Sequence, residues 1–265
     1  MIFNRNQWPG SKVLLSMLML LTVPAGTRAG EEAEARAIVE RAVRALGGGE
    51  KLNALKAATW KSKGTFTYNT NTSQFLSHWS IQGARQYRKI REEKSGVQTV
   101  KSTLVVTLDR AWFQKPKGKL AEFHDTGVTG FHEECTLHWM ALRLDFSDKA
   151  FTLSRLPASE GAAPLPDGVH VTHRDLPDTS FDLFFDHATG LLTKLVTRYP
   201  PARALKENTP AEERTFGEYK EFGGIKFATI IRWSARYGAN SAVQTEERFD
   251  IQIHDKLDDS VFQWP

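Results

Sequence analysis

The segment ATWKSKGTFTYNTNTSQFLSHWSIQ, residues 58–82, decides the fold class. Its apolar residues recur every second position, the period of a strand rather than a helix. Trp60, Ser62, Gly64, Phe66 and Tyr68 fall on one face, and Lys61, Lys63, Thr65 and Thr67 on the other. After a polar turn at TNTS, Phe75, Ser77, Trp79 and Ile81 share a face, with Gln74, His78 and Ser80 opposite. Two alternating runs around a short polar turn predict an antiparallel hairpin with one aromatic face.

Toward the C-terminus the same alternation continues. RQYRKIREE (85–93), VQTVKSTLVVTLD (97–109) and the short RAWFQKP (110–116) read as strands. Strands resume at FTLSRLP (151–157), GVHVTHRDL (168–176), SFDLFFD (180–186) and LLTKLVTRYP (191–200). His187-Ala188-Thr189-Gly190 is a tight turn whose glycine is expected at positive φ. RTFGEYKEF, IKFATIIRWSARY and VQTEERFDIQI follow, separated by Gly223-Gly224 and by GANS (238–241). This is a long antiparallel meander, and we read one α+β domain over residues 30–265.

Toward the N-terminus, EEAEARAIVERAVRALGGG is an amphipathic helix with Ile38, Val39, Ala42, Val43 and Leu46 at helical spacing. Acidic residues open it and Gly47-Gly48-Gly49 stops it. A short second helix holds Leu52 and Leu55. Residues 1–29 read as a signal peptide cut near Ala29. Arg5 and Lys12 precede the apolar run VLLSMLMLLTV, which is shorter than the roughly 20 residues a membrane span needs. The chain has 35 basic and 31 acidic residues; removal of Arg5, Lys12 and Arg28 leaves 32 against 31, a net charge of +1. That balance gives no reason to expect nucleic acid. One cysteine leaves no internal disulfide, so stability must come from the core.

The stretch FHEECTLHW, residues 131–139, concentrates two histidines, two glutamates and that cysteine in a helix over about 129–147. His132 and His138 are six residues apart, which on a helix is a rise of about 9 Å and a rotation of about 600°. With zinc–nitrogen bonds of about 2 Å, one ion does not easily take both; a site would need a distorted helix or help from His124 and Asp125. A reactive thiol wants an electropositive, partly exposed setting, which two glutamates and an apolar stripe deny Cys135. The simpler reading is a core helix along Phe131, Cys135, Trp139, Leu142 and Phe146, with solvent-facing glutamates and a Glu134–His138 pair one turn apart.

Elsewhere the chain holds no G-x-S-x-G elbow, Walker loop or dinucleotide fingerprint. Asp182 and Asp186 in one strand lie about 13 Å apart, too far to act on one bond. His170 and His173 face opposite sides of a strand. Asp255, Asp258 and Asp259 read as an exposed tail. No catalytic residue, metal site or cofactor is expected.

Four units, in order, resemble the LolA-like, outer-membrane lipoprotein-sorting superfamily. They are ALGGGEKLNALKAATWKSKGTF, SFDLFFDHATGLLTKL, EYKEFGGIKFATIIRW and the closing LDDSVFQWP. Ala228 stands where that pattern usually has proline. The resemblance implies a strongly curved antiparallel sheet, a half-barrel covered on its concave face by a few helices. It implies a periplasmic or secreted, non-catalytic binder of a lipid, lipoprotein acyl chains or another apolar ligand, monomeric, with transient membrane contact. An envelope sensor or scaffold that binds a protein through the same half-barrel is the alternative. A metal- or cysteine-dependent enzyme centred on residues 131–139 ranks below both. The aromatic faces would line either a core or a cavity, and they supply the cavity candidates: Trp60, Phe66, Tyr68, Phe75, Trp79 and Ile81.

Overall fold

In the computed structural model, residues 58–82 form the expected hairpin, β1 (Ala57–Tyr68) and β2 (Asn71–Gln82). Trp60 lies directly opposite Trp79, so the two aromatic faces are one face. The structure describes residues 25–114, 118, 120–157, 167–177, 179–199, 212–237 and 239–264. The signal-peptide reading and the loops at 158–166 and 200–211 fall largely or wholly outside them.

Thirteen antiparallel strands make one sheet. β3 (Gln86–Ser95), β4 (Gln98–Val106), β5 (Arg110–Gln114) and β6 (Leu120–His124) extend the first hairpin outward. β7 (Phe151–Arg155), β8 (Asp167–His173), β9 (Ser180–Phe185) and β10 (Leu192–Arg198) run inward from the opposite edge. β11 (Glu212–Phe222), β12 (Ile225–Tyr237) and β13 (Asn240–His254) complete the second meander. Pairing of β1 with β13 joins the two meanders at the centre. The edges β6 and β7 do not pair, so the sheet is a half-barrel and not a closed one.

Its curvature has local causes. Asp250 adopts positive φ, 52°, where the register of β1 and β13 shifts by one residue between Thr59 and Lys61. An extra residue at such a bulge bends and twists the strand that carries it. At Gly64 a Cβ would lie 1.8 Å from the Thr245 carbonyl oxygen, so the central strands approach there as only glycine allows. Gly190 takes φ 72° in its turn, as expected.

Helices fill the concave side. α1 (Ala25–Leu46) buries Ala35, Ile38, Val39, Ala42 and Leu46 against β7, β8 and β12. It ends as Gly48 N–H donates to the Val43 carbonyl, and α2 (Gly49–Ala54) follows. α3 (Thr129–Arg143) connects edge β6 to edge β7. Because those edges are the two extremes of the sheet, the chain between them must cross its mouth. α3 stops four residues earlier than expected. Leu144 turns left-handed at φ 50°, yet both Leu144 and Phe146 remain buried as the chain bends toward β7.

Outside the half-barrel, Leu257 and Phe262 pack with Ala57 and Val105 in a small convex cluster. The carboxylates of Asp255, Asp258 and Asp259 are exposed, but the tail that carries them is docked. Asp258 caps its last turn by accepting from Ser260 N–H at 2.8 Å, and Leu257 N–H donates to Gln82 Oε1 at 2.8 Å.

Candidate functional site

Between α3 and the concave face lies a cavity of about 480 Å³. Its apolar walls come from Phe66, Phe181, Phe216, Ile231 and Trp233 of the sheet and Leu137 of the helix. Phe66 and Trp233 lie on β1 and β12, either side of β13, and their rings stack at 6.4 Å. Trp79 lines the deeper part, stacked on Trp60 at 5.5 Å and 14° between planes, and on Tyr87 at 6.1 Å.

The six aromatic and aliphatic candidates therefore separate. Phe66 and Trp79 line the cavity. Trp60, Phe75 and Ile81 sit in the packed layer around it, at 3%, 5% and 1% exposure. Tyr68, beside the turn of the β1–β2 hairpin, is 43% exposed.

The floor is not apolar. Strand alternation puts Tyr87, Lys89, Arg91 and Glu93 of β3 on the concave side, and Gln244, Glu246 and Arg248 of β13 with them. Glu93, Arg91, Gln244, Glu246 and Arg248 form one continuous chain of hydrogen bonds. Ser73 Oγ donates to Glu93 Oε1 at 2.5 Å, and Arg91 Nε to Glu93 Oε2 at 3.0 Å. Arg91 Nη1 donates to Gln244 Oε1 at 2.7 Å, and Gln244 Nε2 to Glu246 Oε2 at 2.9 Å. Arg248 Nε closes the chain on Glu246 Oε1 at 2.8 Å. Arg91 also lies over the Phe75 ring at 4.0 Å, and Arg248 over Trp60 at 4.9 Å. Across the cavity, Glu212 accepts from Trp233 Nε1 at 3.0 Å and sits 3.0 Å from Arg214 Nη1.

Three pairs thus share one design: Arg91–Glu93, Glu212–Arg214 and Glu246–Arg248 are each two residues apart on one strand face. Partly buried charges are tolerable because each is neutralised beside itself. Burial pushes the Glu246 pKa up, but Arg248 outweighs it and the carboxyl ends below its ordinary value.

The helix adds to this floor, which corrects the expectation of solvent-facing glutamates. Glu133 is buried, with Thr179 Oγ1 donating to it at 3.2 Å. Glu134 turns into the cavity, where Tyr87 Oη donates to it at 3.0 Å and His138 Nε2 lies 3.7 Å away. Burial opposes ionisation of Glu134, but His138 and Lys89 overcome it and hold its pKa well below the carboxylate range. Burial pushes His138 down, favouring the neutral ring, which rests against Trp79 at 4.9 Å.

The remaining reactive groups of FHEECTLHW point elsewhere. His132 Nε2 donates to the Thr107 carbonyl at 2.8 Å. Cys135 is fully buried and its thiol pKa is pushed up by burial and by Glu134. Among the described residues, no three His, Cys, Asp or Glu side chains converge as a metal site. Asp182 is spent on structure: it accepts from His170 Nδ1 at 2.7 Å and Arg198 Nε at 2.6 Å. No described helix is long and apolar enough to cross a membrane.

No family model matches the sequence, and no curated protein matches it. Solved structures do match the fold. A LolA superfamily protein from Nitrosomonas europaea superposes with a TM-score of 0.56 at 10% identity, over 87% of this chain and 97% of its own. A DUF1329 family protein from Desulfovibrio piger gives 0.55 at 11% identity, over 87% and 97%. A domain assigned to outer-membrane lipoprotein sorting in Vibrio parahaemolyticus gives 0.50 at 9% identity, over 84% and 97%. The fold is LolA-like, as the sequence units implied. At one residue in ten identical, that likeness speaks for the fold alone.

Proposed function

Starting from a LolA-like half-barrel, we propose that this chain is an exported, non-catalytic binding protein that holds the apolar part of a lipid or similar amphiphile. The observation that carries this reading is the cavity of about 480 Å³ between α3 and the concave face. Its size is that of a small-molecule site, and its aromatic walls are the kind that bury hydrocarbon. Export rests on the N-terminal apolar run, and the lipid class on the lipoprotein-sorting name of the Vibrio neighbour.

A non-catalytic role is supported by the state of the titratable groups. The cavity carboxylates are held by hydrogen bonds and ion pairs to their neighbours, and the Cys135 thiol is buried and weakly acidic. α3 is the natural cover. Its sequence position between the two sheet edges lets it shift while the strands stay paired, as loading would require.

Native mass spectrometry of protein purified from an envelope fraction, followed by solvent extraction, tests the reading. A discrete added mass that extracts as lipid supports it. A bare polypeptide mass, unchanged after incubation with lipids, removes it.

A further inference from the structure

One cation of the cavity stands apart from the pairing scheme. Arg91, Arg214 and Arg248 each have a carboxylate partner within about 3 Å on their own strand. Lys89 Nζ has neither an ion pair nor a hydrogen bond among the described residues. It lies over the Trp79 ring, 4.4 Å from the centroid. The residue is partly accessible and lines the cavity, on the same face of β3 as Arg91. Nearest in charge is Glu134, already occupied by Tyr87 and His138. A face of tryptophan attracts an ammonium but leaves its three donors unused. Two further donors on cavity residues, Trp79 Nε1 and Thr197 Oγ1, are buried without a partner among the described residues.

The geometry points to an anion-binding position at Lys89, which receives the acidic oxygens of a single-chain amphiphile whose hydrocarbon lies along Phe66, Phe216, Ile231 and Trp233. This inference rests on the amphiphile-binding reading above and specifies its head group. Three of the cavity's cations are bonded to carboxylates on their own strands; among the described residues Lys89, with Glu134 as its nearest opposite charge, is the cavity ammonium or guanidinium without a bonded partner. Register places Lys89 opposite Trp79, and Trp79 opposite Trp60, six residues along β1 from Phe66. Six strand residues span about 20 Å, enough to separate a head group at Lys89 from a chain end at the Phe66–Trp233 pair. An internal Arg–Glu chain offers an incoming anion little, since it would have to displace an existing partner. Burial lowers the Lys89 pKa more than Glu134 raises it, which agrees with an ammonium short of a counter-charge.

Isothermal titration calorimetry on the full chain tests this with four probes of one chain length: laurate, dodecyl phosphate, dodecanol and dodecyltrimethylammonium. We expect either or both anions to bind at least about tenfold more tightly than dodecanol, and the cation to bind most weakly; the tighter anion identifies a carboxylate or a phosphate head. In Lys89→Met the anions fall to the affinity of dodecanol, while dodecanol itself binds as before. Lys89→Arg restores the preference, and thermal melts confirm that both variants are folded. Equal binding of anions and dodecanol, or anion binding unchanged in Lys89→Met, overturns the assignment and leaves the amphiphile reading standing. Binding of none of the four probes overturns both.

Discussion

Tyr87 Oη donates a 3.0 Å hydrogen bond to Glu134, joining β3 to α3 from within the cavity. Tyr87 is buried, while Glu134 keeps about a third of its side chain accessible on the cavity side. Tyr87 keeps its proton firmly, since burial and the neighbouring carboxylate push its pKa well above the ordinary phenol value. Tyr87→Phe removes the donor and leaves the carboxylate under-satisfied. A hydrogen bond to a charged group contributes about 1.5–3 kcal/mol, and we expect Tyr87→Phe to lose that much in urea denaturation. Hydrogen exchange in α3 should accelerate more than in β9 and β10. An unchanged midpoint would show that α3 is held by its apolar side alone.

Acid should destabilise the protein in two stages. His138 has a folded pKa below its unfolded value of 6.5, so its contribution is complete above about pH 6.5 and declines as pH falls below that. Glu134, Glu246 and Asp182 have folded pKa values below 4.5, 4.5 and 3.8, so their contributions are complete above those values and decline as pH falls through the folded ones. In each case the unfolded chain binds more protons in the window, so stability rises with pH. The melting temperature should therefore slope gently below about pH 6.5 and steeply below about pH 4.5. A profile flat down to pH 3 would contradict the charge network.

Cys135 should be silent in the native protein. A buried thiol with a raised pKa has almost no thiolate at neutral pH. Ellman's reagent should find no reactive thiol until denaturant is added, and then one per chain. Rapid labelling of the folded protein would mean that α3 opens on the timescale of the assay.

Gly64→Ala should cost about 1–3 kcal/mol, the range for overpacking a tight interior. The added methyl would meet the Thr245 carbonyl and the Phe75 ring, and backbone at the β1–β13 junction has little room to move. Denaturant titration measures the cost. A neutral result would show that the two meanders can separate slightly at their seam.

Asp182→Asn should destabilise by more than a typical surface change. Its side chain is 2% exposed and holds two partners, His170 and Arg198, on the outer side of β9. Removing one partner of a buried charge cluster typically costs about 3–5 kcal/mol; exposure of His170 and Arg198 puts the expectation at the lower end. A melting temperature within a degree of wild type would show that those two side chains relax into solvent.

Much of this architecture was legible in the sequence. Alternation at 58–82 placed Trp60 and Trp79 on one face, and the register pairs them directly. The glycine of the 187–190 turn, the stripe of α1 and the buried Cys135 followed from local rules. The charged floor did not. RQYRKIREE read as a strand, but the bond that ties its Arg91 to the rest of the floor goes to Gln244, 153 residues away. No local spacing carries that information.

By itself, the sequence determined which residues share a face of each strand and helix, because periodicities of 2.0 and 3.6 are properties of the backbone. It could not determine which side of a helix counts as inside. Glu134 looked solvent-facing because glutamate at a helix surface usually is. It faces inward here because α3 must run from edge β6 to edge β7, across the concavity. Tertiary structure alone made that decision, by joining β1 to β13 and so sending the two free edges to opposite ends of the sheet.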